Sequence, residues 1–467
     1  MVFSSLFFIF LFLPINLILY FSFKNRKLKN AILVLFSLIF YAWGEPIWVV
    51  LLLSSSLLDY FNGLFINKYF GKPIAKVGLY LTIIFNLGVL LTFKYSDFIV
   101  ENVNYLTHFN FQKPGFLMPI GISFYSFQTI SYIIDVYKGE VKAQKSFLNF
   151  LLFVSLFHQL VAGPIVRYSH IAKEIEERIF SWSDFNNGVS RFCIGLFKKV
   201  CIANIAGEIC THYLGSDLLD LTVMGGWFGI VAYSIQIYFD FSGYSDMAIG
   251  LGWMFGFHYH ENFNYPYIST SITDFWRRWH ISLGTFFKDY VYIPLGGNKK
   301  YNFRNIFIVW GLTGLWHGAS WNFIIWGLYF GIILLIEKTF LLNLLKRLPK
   351  FISHIYSLFF IIVGWAIFYF TDFNNLLFFI KLLFNLTNNE LYNLEVQNMF
   401  FENIYWLGFA ILLCMPIYNW FYKAINSASY FKYLVPFITI FLNLLLLICS
   451  VIFLVGSSYN PFIYFRF

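Results

Sequence analysis

Two stretches of this sequence gather side chains able to move protons within otherwise apolar surroundings. The first, YPYISTSITDFWRRWHISLGTFFKDYVYIPLGGNKK, runs from Tyr265 to Lys300. On a helix, Asp274 faces Arg278 at i,i+4 and Arg277 neighbours His280 at i,i+3, so acid, base and imidazole would share one short helix. A charge at the centre of a bilayer costs about 2.5 to 3.5 kcal/mol on insertion scales, so ionisable residues clustered between apolar runs need a reason. The plainer reading is an interfacial amphipathic helix. Trp276 and Trp279 would then sit at headgroup level, the arginines would snorkel to lipid phosphates, and the Asp274–Arg278 pair would be purely structural.

The second stretch, WGLTGLWHGASWNFIIWGLY from Trp310 to Tyr329, holds His317 in a long apolar run with no acidic or basic residue nearby in sequence. A buried imidazole in such a setting stands neutral, the form that accepts a proton. Thr313, His317 and Trp321 recur at i,i+4, while Gly314 and Gly318 bracket the histidine with a small-residue spacing that permits close helix approach. The alternative is a packed helix whose lone histidine hydrogen-bonds across a bundle. SFYSFQTISYIIDVYKG adds Gln128, Tyr132 and Asp135, and SIQIYFDFSGYSDMAIG adds Gln236, Asp240 and Asp246. Either stretch could line a tunnel, and either could equally be a network that fixes helix packing. The chain has no GxxxxGK[ST] loop, no HExxH, no paired-cysteine metal site and no GxSxG elbow, which removes support for ATP hydrolysis, zinc hydrolysis and serine-hydrolase chemistry.

The elements that carry these residues follow from composition. Of the 467 residues, 59% are hydrophobic and only 12% charged, too little polar surface to cover a soluble protein of this size. A spanning helix needs about 20 mostly apolar residues. Such stretches recur from end to end, roughly eleven to thirteen of them when re-entrant segments are counted. The first, Met1 to Phe23, is followed by Lys24, Arg26, Lys27 and Lys29 and lacks a small-residue cleavage pattern, so it reads as a retained span with the basic cluster on the cytoplasmic side. Between Pro114 and Arg178 the apolar runs are short and interrupted, as in re-entrant segments. The polar connections at Lys94 to Gly115 and Thr387 to Asn403 read as loops. The net charge of +9 resides largely in short turns, with no soluble basic module, so membrane topology explains it and nucleic acid is not an expected partner. Cys193, Cys201, Cys210, Cys414 and Cys449 lack metal-ligand or disulfide spacing and read as packing residues; no metal is expected. The whole chain, 1–467, reads as a single all-α polytopic membrane domain.

With DFWRRWHISLGTFFKDYVYIPLGG followed by GLTGLWHGASWNFIIWGLYFG, the sequence resembles the membrane-bound O-acyltransferase family, and SFYSFQTISYIIDVYKG, HQLVAGPIVRY and IQIYFDFSGYSDMAIG are similar to further blocks of its bacterial polysaccharide-acylating branch. The resemblance implies that family's fold, with helices around a central tunnel, and a catalytic histidine at His317 with His280 beside it. It also implies a cytoplasmic donor, acetyl-coenzyme A, used as a substrate with no tightly bound cofactor, and an extracytoplasmic polysaccharide acceptor such as peptidoglycan or an alginate-like polymer. Asp240, Asp274, Gln128, Trp316 and Trp321 would support the site or the substrate, and Arg277, Arg278 and Lys288 could steer coenzyme phosphates.

The chain's last residues read NPFIYFRF, and Phe462, Tyr464 and Phe467 resemble the FxYxxF pattern of acyl-relay systems in the same branch. That resemblance implies Tyr464 as a first acyl acceptor, deprotonated by His317, within a tail spanning 462–467. An aromatic interfacial anchor is the plainer reading of the same residues. No second catalytic domain is visible, which implies a separate extracytoplasmic transferase of the SGNH type. Three alternatives stay open at this point: a proton-coupled transporter built on His280, His317, Asp240 and Asp274, a noncatalytic membrane scaffold for an assembly complex, and D-alanyl transfer to teichoic acid within the same family.

Overall fold

The computed structural model describes residues 1–161, 163–417, 434–456 and 459–463. Among them the chain is helical without a single β-strand; in lipid every backbone polar group must be paired, and a helix does this within one segment. Six of the described helices are long and apolar enough to cross a membrane: Arg26–Gly44, Val49–Lys68, Ala75–Thr107, Trp321–Leu345, Lys350–Tyr369 and Val435–Gly456. Phe8–Ser22 and Phe373–Leu383 are shorter apolar helices. On Val435–Gly456, Phe437, Phe441 and Ile452 expose their side chains, the inversion expected where lipid is the solvent.

The two polar connections read as loops are in part helical. Ser96–Thr107 occupies much of the first, and Leu394–Leu413 begins inside the second, where the Asn393 side chain accepts from Val396 N–H. A capping side chain satisfies an orphan N–H of the first turn and so starts a helix that polarity alone concealed.

The described chain divides into two compact units, Met1–Phe192 with Tyr244–His260, and Cys193–Gly243 with Glu261–Phe467. In the first unit Phe3, Phe8, Phe40 and Phe157 form an aromatic core with ring centroids 5.1 to 6.3 Å apart. Helix Ile122–Lys138 is buried along nearly its whole length and bounded by Gly121 and Gly139, both at positive φ. A Cβ at Gly121 would stand 2.7 Å from the Leu160 carbonyl oxygen, so the close approach as well as the turn requires glycine. Polar groups in this unit pair within it: the buried Asn86 amide donates to the buried Asp59 carboxylate at 3.0 Å, and the partly buried Arg191 meets Asp246 at 2.8 Å. The short helices Phe147–Ser155 and Phe157–Leu160 fall within the interrupted region expected between Pro114 and Arg178.

The second unit carries α1 (Val223–Phe255, whose C-terminal part belongs to the first unit), α2 (Ile272–Arg278), α3 (Ile281–Phe287), α4 (Asn302–His317), α5 (Trp321–Ile336) and α6 (Lys350–Tyr369). Its core is rich in tryptophan: Trp276 packs on Trp310 at 4.8 Å and on Phe330 at 4.9 Å, and Trp365 packs on Trp279 at 4.8 Å. Aromatic pairs in tilted and edge-on geometry add about 0.5 to 1.5 kcal/mol each beyond the area they bury. This cluster holds α2, α4, α5 and α6 in register around the two histidines.

Candidate active site

His317 is the last residue of α4 and is buried. The helix stops there because Gly318 adopts an extended conformation, and α5 starts anew at Trp321. The i,i+4 series expected from Thr313 through His317 to Trp321 is therefore broken after His317, and Trp321 is 58% exposed. The close approach expected of the small residues is real. A Cβ at Gly314 would run into the Phe323 carbonyl oxygen, and one at Gly327 into the Trp310 carbonyl oxygen. Backbone-to-backbone contact of α4 with α5 fixes the imidazole among three rings, Trp316 at 5.0 Å, Trp326 at 5.0 Å and Phe368 at 5.2 Å. Asn322 donates to the Phe368 carbonyl at 3.2 Å and holds that residue in place.

His280 does not share a helix with Asp274, Arg277 and Arg278. Helix α2 ends at Arg278, and His280 stands at φ 45 in the left-handed region before α3 begins. A non-glycine residue in this region is strained and persists only where its surroundings hold it. Here the Gly284 N–H donates to the His280 carbonyl at 3.1 Å, and the buried ring packs on Phe241 at 4.7 Å and Trp316 at 5.7 Å. The break turns the imidazole inward while the charged residues of α2 stay outside. Asp274 and Arg278 form the expected i,i+4 ion pair at 2.9 Å, partly exposed, and Arg277 is exposed.

His280 and His317 line one cavity of about 180 Å³, together with Trp310, Thr313 and, at its rim, the exposed Lys288. Trp316 packs on both histidine rings, 5.7 Å from His280 and 5.0 Å from His317. Two histidines facing a small, largely apolar space can take and return a proton in a place where water competes poorly. A second cavity of the same unit, about 510 Å³, is lined by Phe323, Phe368, Gln236 and the C-terminal residues Tyr459, Pro461 and Ile463. Phe368 thus borders this cavity on one side and packs on His317 on the other.

Asp240 sits on α1, buried, with its Oδ1 2.8 Å from the Lys199 ammonium and its Oδ2 accepting the Ile463 N–H at 2.8 Å. Gln128 belongs to the first unit, fully buried, with neither side-chain polar atom hydrogen-bonded among the described residues. Tyr464 lies outside the described residues. Among the described residues no group of His, Cys, Asp and Glu could hold a metal ion.

Reading the sequence missed two residues that shape this site. Glu337, fully buried, accepts the backbone N–H groups of Ile272 and Thr273 at 2.7 Å each, the Thr273 hydroxyl at 2.6 Å and the Tyr356 hydroxyl at 3.1 Å. It anchors the N-terminus of α2, where the helix dipole favours a negative charge. Its signal was a single acid in the apolar run IILLIEKTF. Lys199 is the other, a lysine buried at 3% exposure in the segment KKVCIA.

The sequence profile described as the membrane-bound O-acyltransferase family matches residues 136–415, a span that contains both histidines and α1 to α6. A Pseudomonas aeruginosa protein named probable alginate O-acetylase is 43% identical over 376 residues, 79% of this chain and 72% of its own. The peptidoglycan O-acetyltransferase of Helicobacter pylori is 33% identical over 516 aligned positions, covering 100% of this chain and 98% of its own. A teichoic acid D-alanyltransferase of Bacillus subtilis is 31% identical over 232 residues, 46% of this chain and 58% of its own. The profile match across the histidine-bearing helices, and relatives matched over most or all of their length, agree with six membrane-length helices in saying that this chain belongs to the membrane-bound O-acyltransferase family and is a multi-pass membrane acyltransferase.

Proposed function

We propose that the chain moves an acetyl group from cytoplasmic acetyl-coenzyme A toward O-acetylation of an extracytoplasmic polysaccharide, with His317 as the base. The observation that carries this reading is the shared cavity of His317 and His280, whose volume of about 180 Å³ suits a short acyl group. The relatives named above supply the substrate class: two act on acetyl groups, and the peptidoglycan enzyme aligns with the whole of this chain. Peptidoglycan or an alginate-like polymer is accordingly the acceptor class, and a separate SGNH-type transferase completes delivery outside. D-alanyl transfer has the shorter match behind it, and family membership disfavours a proton-coupled transporter.

In the reaction the thioester is already activated, so the protein has to align it and remove a proton from the attacking hydroxyl. His317 takes the phenolic proton of Tyr464, the phenolate oxygen bonds to the acetyl carbon, and the carbon–sulfur bond breaks. The proton then passes from the imidazolium to the leaving thiolate. The products are an acetyl ester on Tyr464 and free coenzyme A, and a partner transferase moves the acetyl group from that ester to a polymer hydroxyl. Positioned base catalysis of this kind supplies about 10² to 10⁴ in rate, and alignment supplies more. His280, on the same cavity, holds the reacting groups against His317. Lys288, which lines the same cavity, steers coenzyme phosphates in this reading. Phe368, shared between the His317 ring and the second cavity, supports access from two sides.

The test follows radiolabelled acetyl from acetyl-coenzyme A onto wild-type, His317→Ala and Tyr464→Phe proteins in liposomes. Label on the wild type alone is the expected result. Equal labelling of Tyr464→Phe removes the relay, and equal labelling of His317→Ala removes the base.

A further inference from the structure

The segment preceding Tyr464 is held by a built site. Lys199 and Asp240, at 3% and 2% exposure, form a buried ion pair at 2.8 Å. Their contact is ionic and not an aligned hydrogen bond, so the remaining valences matter. The Lys199 ammonium donates to Asn204 Oδ1 at 2.7 Å and to the Pro461 carbonyl. Asp240 Oδ2 accepts the Ile463 N–H at 2.8 Å. Asn204 Nδ2 lies 3.2 Å from the Tyr459 carbonyl and 3.2 Å from Asn460 Oδ1, and Thr211 and Tyr459 exchange a hydroxyl contact at 3.3 Å. Phe462 and Ile463 are buried.

A buried ion pair repays its desolvation only when further hydrogen bonds satisfy both partners. Here two of those bonds come from the backbone of residues 461 and 463, and Pro461, which has no N–H, offers only the carbonyl that Lys199 takes. A site that takes main-chain groups with one ammonium, one carboxylate and one amide suits a segment whose carbonyls and N–H groups are not taken up by a regular helix, and residues 459–462 carry no regular secondary structure.

We infer that Lys199, Asn204 and Asp240 are positioning residues that dock the C-terminal segment, with the ion pair serving as the peptide receptor. This rests on the proposed relay for its purpose, since it fixes Ile463, one residue before Tyr464, on a cavity whose wall is shared with His317. Asp240 neighbours Phe241, whose ring packs on His280, so the docked segment and the histidine pair are tied through adjacent residues of α1.

Docking can be read without any acyl donor. Ile463→Cys keeps the backbone N–H and converts a buried position into a reporter for a soluble maleimide, used on the full-length protein in detergent. Adding Lys199→Met or Asp240→Ala should raise the labelling rate of the introduced thiol about tenfold or more, the factor set by losing a hydrogen bond to a charged group. Asn204→Ala, which leaves the ion pair in place, should raise it less and serves where the charge variants fail to fold. The native Cys414, buried in the same unit but not on the cavity that holds Ile463, is the control and should stay unlabelled. Unchanged protection of the introduced thiol in folded variants overturns the docking role. So does a gain matched at Cys414, because the pair would then merely stabilise the unit. Normal acetyl transfer by Tyr464→Phe would remove the relay and leave this result standing.

Discussion

Glu337 on one helix accepts the backbone N–H of Ile272 on another at 2.7 Å, and through this bond a buried carboxylate sets where the His280 segment begins. Hydrogen bonds to a charged group contribute about 1.5 to 3 kcal/mol each. Glu337→Ala should therefore lower the stability of the purified protein by about 3 kcal/mol or more, visible as a fall in melting temperature. Because α2 leads directly into His280, kcat should fall more than KM rises. A variant with unchanged melting temperature and kcat would mean that the α2 N-terminus is held by other contacts.

His317→Ala should reduce acetyl transfer about 10² to 10⁴-fold while leaving the elution profile of the protein unchanged. His280→Ala should cost less in rate if His317 is the base, and comparison of kcat for the two variants tests the order. A larger loss for His280→Ala would exchange their roles.

Gly314→Ala and Gly327→Ala each place a methyl group where a backbone carbonyl already stands. Overpacking of this kind costs about 1 to 3 kcal/mol. Both variants should melt earlier, and by moving α4 against α5 both should also lose activity. Gly311→Ala, where the added carbon meets nothing within 4 Å, is the matched control. Equal stability of all three would show that α4 and α5 yield without cost.

Asp274→Asn removes a partly exposed i,i+4 ion pair with Arg278. Such pairs contribute about 0.2 to 1 kcal/mol, so the change in unfolding free energy should stay below about 1 kcal/mol. A larger loss, measured by chemical denaturation in detergent, would indicate that this pair supports the site more directly than its exposure implies.

Much of the fold was legible in the chain because its causes are local. Spans such as Lys350–Tyr369 follow from length and composition, and the Asp274–Arg278 pair follows from helical spacing. Local rules failed where a single residue changes the backbone. Periodicity carried α2 on to His280 and α4 on to Trp321, whereas the extended Trp279, followed by left-handed His280, and the extended Gly318 end those helices early. Asn393, as a cap, made a helix out of part of an apparent loop.

Composition and local motifs were enough to specify the solvent of this protein, its helical class, its family blocks and the two histidines that stand out against apolar surroundings. Packing of helices distant in the chain was needed to bring His280 and His317 onto one cavity, to anchor α2 on Glu337, and to close Lys199 and Asp240 on Ile463. Hydrophobic patterning reports which residues leave water but not which of them meet. Buried charges choose partners by the geometry of packed helices, and Lys199 and Asp240 come from different helical segments while Ile463 follows much later in the chain.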